Sequence, residues 1–191
     1  MKSSKAFLLF LSLVFLLPTA SFAFDGKRQG FLLGLGAGAG SLEYTEVQSE
    51  FLASDNRTAK QSTPAFMPKL GYAFGDQLAF LYYRHPFSFS AENAQKESQQ
   101  MTACVEMLGF NYYFSGGDTS LYIGAGSGRS YFFEGIDNQA PGVLQGTGFS
   151  YSIGYEFSKH FSLELTSLSG TLNDQKGEFK GYALLLNVLA Y

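Results

Sequence analysis

Tryptophan is absent from this sequence of 191 residues, cysteine occurs once, and only 15% of the residues are charged. A single cysteine excludes an intramolecular disulfide framework and every cysteine-rich zinc site. The net charge of −3 provides no basic surface for nucleic acid, so we expect no nucleic-acid partner. No motif for a metal ion or an organic cofactor stands out, and we predict neither.

Long hydrophobic runs are missing after the first residues. The longest spans 78–83 and is stopped by Arg84. A transmembrane helix needs about 20 such residues, so a helical membrane protein is excluded. Stripes of helical period are also missing, and glycine, which disfavours helices, is scattered through the chain.

The first 23 residues have the organisation of a secretory signal peptide. Lys2 and Lys5 precede an apolar run over 6–17, and Ser21 and Ala23 place small residues where a signal peptidase cleaves. We predict a signal peptide over 1–23 and a mature domain over 24–191. An uncleaved membrane anchor is the alternative, although the run is short for a membrane span.

The mature chain is dominated by alternation with a period of two, which is typical of β-strands. Between 146 and 157, Phe149, Tyr151 and Ile153 share one face, while glycine and serine occupy the other. Short turns and longer polar connections alternate between the strands, with the long connections over 48–62, 90–100, 134–145 and 173–179. We predict eight strands, over 30–47, 63–74, 78–89, 101–114, 120–133, 146–157, 161–172 and 180–191.

Composition decides which face of these strands points outward. A sheet surface in water would be rich in lysine and glutamate, but the polar face consists mainly of glycine, serine and threonine, which suit the crowded lumen of a small barrel. The apolar face carries phenylalanine, tyrosine, leucine and isoleucine, which suit lipid. We therefore predict an all-β, eight-stranded antiparallel up-and-down transmembrane barrel; a soluble lipocalin-like barrel is the alternative.

These features together resemble the OmpA/OmpX-type outer-membrane β-barrel family over 24–191. The resemblance implies residence among the lipids of a bacterial outer membrane. The signal peptide implies export to the periplasm, and we expect a monomer. The resemblance also implies an assembly signal in the last strand, read by the barrel-assembly machinery, with Tyr191 as the terminal aromatic residue. Leu189 and Asn187 depart from the aromatic pattern of that signal.

Several residues within the predicted strands are charged, among them Lys69, Arg84, Glu106, Glu156 and Glu164. We predict that most of them form ion pairs inside the barrel, because an unpaired buried charge is costly. Such a network would fill the lumen, since eight strands enclose just enough room for side chains. A gated narrow conduit is the alternative.

The direction of Arg84 depends on the register of the second hairpin. A turn centred on Asp76 sets Arg84 opposite Pro68 and points it outward, where its stem would have to reach toward the headgroups. A turn centred between Gly75 and Asp76 sets Arg84 opposite Met67, inside the barrel. The interior position is favoured here.

Pro64, Pro68 and Pro86 fall on this same pair of strands. Each removes one hydrogen-bond donor from the ladder. We consider a weakened lateral seam through which a lipid chain could enter, and, as the simpler alternative, two strands that separate as they leave the membrane.

His85 is the one histidine in a position to act as a base near the outer rim, beside Ser88 or Ser90. The known pattern of lipid deacylases has histidine and serine two residues apart, but here that position is Phe87. We predict no catalytic residue, and an interfacial histidine is the simpler interpretation.

The sequence therefore predicts a non-enzymatic outer-membrane protein with a structural or surface-interaction role. Its long loops could bind an extracellular ligand that their residues do not identify. Two alternatives stay open: a lipid-modifying enzyme that uses His85 and a lateral seam, and a narrow channel or carrier for a small hydrophobic molecule in space left by the glycines.

Overall fold

The computed structural model describes residues 28–45, 58–92, 98–134, 144–172 and 177–191, which form a closed barrel of eight antiparallel strands. Each strand pairs with its neighbours in sequence, and β1 also pairs with β8. The predicted up-and-down barrel is confirmed. The strands are β1 (Gln29–Thr45), β2 (Thr58–Gly75), β3 (Leu78–Glu92), β4 (Ser98–Tyr113), β5 (Ser120–Glu134), β6 (Leu144–Ser158), β7 (Phe161–Leu172) and β8 (Gly177–Ala190).

Several strands are longer than predicted at the end that carries the long connections. β2 begins at Thr58, inside the predicted loop over 48–62, because its first residues continue the pairing with β1 up to Thr45. The β2 residues 58–62 show no alternation of apolar and polar side chains, so the sequence pattern did not indicate a strand there. The predicted signal peptide and part of each of the four long connections lie outside the described residues.

The outward direction of the apolar face is confirmed. Phe149, Tyr151 and Ile153 are 47–67% exposed on the outer wall, whereas Ser150 is buried in the lumen. Exposed phenylalanine, tyrosine and leucine side chains surround the whole barrel in the same way. This apolar belt is the surface that a bilayer would cover. No helix among the described residues is long and apolar enough to cross a membrane.

Two layers of side chains fill the described interior. The turn-side layer, at the end with the short turns, combines charged groups, tyrosines and asparagines with a smaller apolar cluster that includes Leu32, Ala73, Ala79 and Leu81. The loop-side layer, at the end with the long connections, is apolar, and its members are Leu42, Tyr44, Ala65, Met67, Phe87, Phe89, Met101, Ala103, Val105, Met107, Phe132, Leu168, Leu172, Phe179, Ala183 and Leu185.

Glycines on the lumenal face make room for the bulky residues of other strands. A Cβ atom on Gly181 would lie 2.9 Å from the ring of Phe87, and one on Gly40 would lie equally close to the same ring. The ring of Tyr122 covers Gly154 in the same manner. The missing side chains therefore admit aromatic rings rather than leaving an open path.

Candidate functional site

An ion pair between Arg28 and Glu156 closes the turn end of the lumen. The Nε atom of Arg28 lies 2.8 Å from Glu156 Oε2, and both side chains are almost completely buried. The guanidinium also donates to the carbonyls of Asp76, Ser115 and Gly117, at 2.5, 3.1 and 2.8 Å. One cation thus ties the start of β1 to β6 and to two of the short turns.

Aromatic rings complete the same site. The Tyr191 hydroxyl donates to Glu156 Oε1 at 2.6 Å, and the Arg28 guanidinium lies 4.2 Å above the ring of Tyr113. Sequence reasoning missed Arg28, which precedes the first predicted strand. The alternation of β1 could have indicated it, because Arg28 has the same parity as Leu32 and the other even-numbered residues at that end of β1, which face the lumen.

A second ion pair joins opposite walls of the barrel. Lys69 Nζ on β2 lies 2.7 Å from Glu164 Oε2 on β7, and both side chains are buried. The Tyr122 hydroxyl donates to the same carboxylate oxygen at 2.6 Å. The structure therefore places Lys69, Glu156 and Glu164 inside the barrel, with each charge next to an opposite charge, as burial requires.

Arg84 and Glu106 lie on the outer wall, contrary to the sequence-based assignment to the lumen. Lys69 pairs with Tyr83, and continuing this register sets Pro68 opposite Arg84. The shift that sequence reasoning could not see is an irregularity between Ala73 and Gly75, next to the turn. Because side chains alternate between faces, a change of register by one residue reverses the face.

The outward charges lie side by side on adjacent strands. Arg84 is paired directly with Glu106 across the β3–β4 ladder. The carboxylate of Glu106 accepts a hydrogen bond from the Tyr82 hydroxyl, and Arg84 Nε lies 3.2 Å from the Cys104 sulfur. These residues are not part of the lumenal network.

His85 is buried in the lumen, not placed at a lipid-facing rim. Its ring lies 4.5 Å from that of Phe87, and Nε2 has no hydrogen-bond partner in the described structure. Ser88 and Ser90 are on the opposite face of β3, so neither serine shares a face with the imidazole. Within the described ranges, no group of three histidine, cysteine or acidic residues could hold a metal ion.

The ladder between β2 and β3 is shorter than any other in the barrel. Its pairs run from Gly75–Leu78 to Lys69–Tyr83 and stop there, although both strands continue. The unpaired stretch contains Pro64, Pro68 and Pro86, which have no N–H to donate. We call this stretch, residues 58–68 of β2 and 84–92 of β3, the β2–β3 seam.

Two side chains bridge the seam in place of backbone pairs. The Thr63 hydroxyl donates to the Ser88 carbonyl at 2.7 Å, and the Gln61 amide nitrogen donates to the Ser90 carbonyl at 2.6 Å. In the continued register Pro64 faces Ser88, so the threonine hydroxyl supplies a donor beside a residue that has none. The seam is held by side chains but has lost its regular ladder.

Comparisons with known proteins identify the fold. No known family and no curated protein matches the chain. Among solved structures, the barrel is similar to Ail, the attachment invasion locus protein of Yersinia pestis, in complex with the heparin analogue sucrose octasulfate. The two share 13% identity and a TM-score of 0.56 over 84% of this chain and 99% of Ail. Neisserial surface protein A has 15% identity and a TM-score of 0.50, over 83% and 96%.

The chain has the OmpA/OmpX-type barrel fold. In its last strand the outward residues are Tyr182, Leu184, Leu186 and Val188, whereas the ring of Tyr191 is buried beside Glu156. The terminal aromatic residue of this barrel is therefore bound inside the lumen rather than displayed to lipid. Recognition of this strand by the assembly machinery stays a prediction.

Proposed function

We propose that the protein is a non-enzymatic barrel of the bacterial outer membrane whose lumen is closed and whose role lies at the cell surface. The observation that carries this proposal is the Lys69–Glu164 ion pair, which spans the lumen from one wall to the other at 2.7 Å. A permanent aqueous path would have to separate these buried charges.

The loop-side layer supports the same proposal. Phe87, Leu42 and Leu185 are fully buried in the lumen, and Phe87 fills the space above Gly40 and Gly181. A solute that crossed the barrel would have to displace an apolar layer and then a charged one. The glycine-rich faces of the strands therefore favour a packed interior over a narrow channel.

Location and partners follow from the fold and the sequence. We propose delivery by the signal peptide over 1–23, insertion by the barrel-assembly machinery through β8, and residence as a monomer, since a closed barrel leaves no open strand edge. The long connections, at the end opposite the short turns, would face the exterior and could bind an extracellular ligand. Ail, a structural neighbour, was solved with a heparin analogue.

Conductance of refolded protein in planar bilayers tests the closed lumen. We expect the wild type to show no large, steady conductance, with an open porin as positive control. The variant Phe87→Ala/Glu164→Ala, which removes one filling side chain from each layer, should conduct more than the wild type. Steady conductance of the wild type itself would overturn the proposal.

A second candidate function is lateral access for an apolar molecule through the β2–β3 seam, as for a carrier of small hydrophobic compounds or lipid chains. The observation that favours it is the end of the ladder at Lys69–Tyr83. Directly behind the seam lie Met67 and Phe87, which belong to the apolar loop-side layer. A molecule admitted there would meet apolar side chains, not the charged layer.

Amide hydrogen exchange in detergent micelles tests this second function. If the seam opens, the amides of residues 65–67, 84, 85 and 87–89 that point across the seam should exchange faster than those of Leu70 and Tyr82 in the paired part of the same strands. The β6–β7 pair, which is paired along nearly its whole length, serves as the matched control. Equal protection along β2 and β3 would exclude lateral access.

A lipid-modifying enzyme receives the least support. His85 points into the lumen and packs on Phe87, and no hydroxyl or carboxylate of the described residues contacts its free nitrogen. A general base must lie within hydrogen-bond reach of the group that it activates. We expect no hydrolysis of phospholipid or lipid A acyl chains by the wild type; activity that His85→Ala abolishes would establish the enzyme instead.

A further inference from the structure

The outer wall carries an apolar depression on β5, which we call the β5 trough. Its lining includes Ala125 and Ser127, and it is an open depression with a volume of about 320 Å³. In the ladders Phe110, Ala125 and Tyr151 lie in one row, and Leu108, Ser127 and Phe149 lie in the next. Two small residues on β5 are thus flanked by bulky apolar side chains on β4 and β6. The difference in size leaves a groove on the outer wall that is open to the lipid.

An arginine lies at the loop end of this trough, opposite Glu106 in the β4–β5 ladder. Arg129 is the next outward residue of β5 after Ser127, and it is exposed. Nowhere among the described residues does its guanidinium have an ion-pair or hydrogen-bond partner. An arginine at a lipid-facing wall whose donors are not used by any described residue can bind an oxyanion in a bidentate manner.

The position of Arg129 along the barrel matches the level of lipid headgroups. On the other seven strands the outward apolar residues give way to a polar or charged residue toward the loop end. On β5 this change comes at Ser127 and Arg129, and the two outward residues that follow, Tyr131 and Phe133, are aromatic and buried. The counterparts of Arg129 are Ser41, Ser62, Arg84, Glu106, Thr147, Ser167 and Lys180. The trough below Arg129 therefore lies at the level of the acyl chains of the outer leaflet.

A second cation stands two strands away. Arg84, Glu106 and Arg129 are aligned across β3, β4 and β5. The Glu106 carboxylate also accepts a hydrogen bond from the Tyr82 hydroxyl. The two arginine positions are separated by two strand spacings, about 10 Å. The patch carries a net charge of +1, and its cations are spaced for a ligand with more than one anionic group.

We propose that the β5 trough and Arg129 form a binding site for a phosphorylated, multiply acylated glycolipid of the outer leaflet, of the lipid A class. One acyl chain lies over Ala125 and Ser127, a phosphate is bound by Arg129, and a second anionic group of the same molecule reaches Arg84. A phospholipid with one phosphate could place an acyl chain in the trough but could bind only one of the two arginines. This site lies on the outer wall and does not depend on whether the lumen is closed.

Native mass spectrometry of the refolded full barrel in detergent tests the site, with three probes added separately. They are bisphosphorylated lipid A, the same lipid without its phosphates, and phosphatidylglycerol. The wild type should retain one molecule of bisphosphorylated lipid A. It should retain about tenfold less phosphatidylglycerol, which lacks one of the two anionic contacts, and still less of the dephosphorylated lipid, which lacks both. Equal retention of phosphatidylglycerol would show that the occupant is a phospholipid and overturn the assignment.

Variants separate the headgroup contact from the trough. Arg129→Gln should lower lipid A retention about tenfold, the loss expected for one charge-assisted contact. Ser127→Leu, which fills the trough and leaves both arginines in place, should also lower it. Lys180→Gln is the matched control, because Lys180 is an outward cation at the same boundary on β8 and is far from the trough. All variants face lipid, and heat-shifted gel mobility checks that they fold.

Two results would overturn the site. If Lys180→Gln lowered retention as much as Arg129→Gln, the lipid would be held by overall charge alone. If Ser127→Leu left retention unchanged, the trough would bind no acyl chain.

Discussion

The two layers of the lumen fill the same barrel in different ways, because buried ion pairs among the described residues occur only in the turn-side layer. The turn-side layer uses charges from facing walls, each paired and further hydrogen-bonded by tyrosine hydroxyls, as Glu156 is by Tyr191 and Glu164 by Tyr122. The loop-side layer uses apolar side chains that fit over glycines, as Phe87 does over Gly181. The interior of this small barrel is therefore a packed core. Where its residues are charged, ion pairing makes their burial possible.

Removal of one partner of a turn-side ion pair should have the largest effect. Glu164→Ala leaves the Lys69 ammonium buried without its carboxylate and removes the acceptor of the Tyr122 hydroxyl. We expect a loss of about 3–5 kcal/mol in the free energy of unfolding, the range found when a buried pair loses one partner. Urea unfolding of the barrel in micelles or vesicles measures it.

The control replaces both charges at once. Lys69→Met/Glu164→Leu restores an apolar filling, and we expect it to be clearly more stable than Glu164→Ala. If the double variant were as unstable as the single one, the turn-side layer would depend on its charges for more than their mutual neutralisation.

Crowding of the loop-side layer should have an intermediate effect. Gly181→Ala places a Cβ atom 2.9 Å from the Phe87 ring and 3.1 Å from Leu168. We expect a loss of about 1–3 kcal/mol from overpacking, which Phe87→Leu in the same chain should partly reverse. Gly75→Ala is the control, because a Cβ atom there meets nothing within 4 Å. Additive losses in the double variant would show that Phe87 and Gly181 are not coupled.

The smallest effect is expected at the β2–β3 seam. Thr63→Val keeps the shape of the side chain but removes the donor to the Ser88 carbonyl, so we expect a loss of about 0.5–1.5 kcal/mol and faster amide exchange in β3. The same change at Thr171 is the control, since its hydroxyl contacts the Thr147 carbonyl within a complete ladder. Equal exchange in the two variants would show that Thr63 does not hold the seam.

Alternation predicted the facing of most strand residues. It placed Lys69, Glu156 and Glu164 inside, because one face of each of their strands is plainly apolar. It did not predict which charges pair, since pairing joins strands that are distant in the chain, such as β2 with β7. The lumenal position of Arg28 was not predicted, because this residue precedes the apolar pattern of β1.

The sequence could not decide the facing of Arg84 and Glu106. For Arg84, both hairpin registers satisfy the turn residues, and the irregularity at Ala73–Gly75 selects one of them. For Glu106, β4 has buried residues on both faces near Cys104 and Val105, so its alternation carries no direction. In each case a one-residue uncertainty reverses the assignment.

By itself, the sequence determined the strand count, the order of the strands and the side that faces lipid, because a period of two and the identity of the exposed side chains are local properties. The closed register, the ion pairs across the lumen, the seam between β2 and β3 and the trough on β5 were decided only by the tertiary structure. Each of these arises where residues far apart in the chain meet, and no local pattern encodes the offset at which they do so.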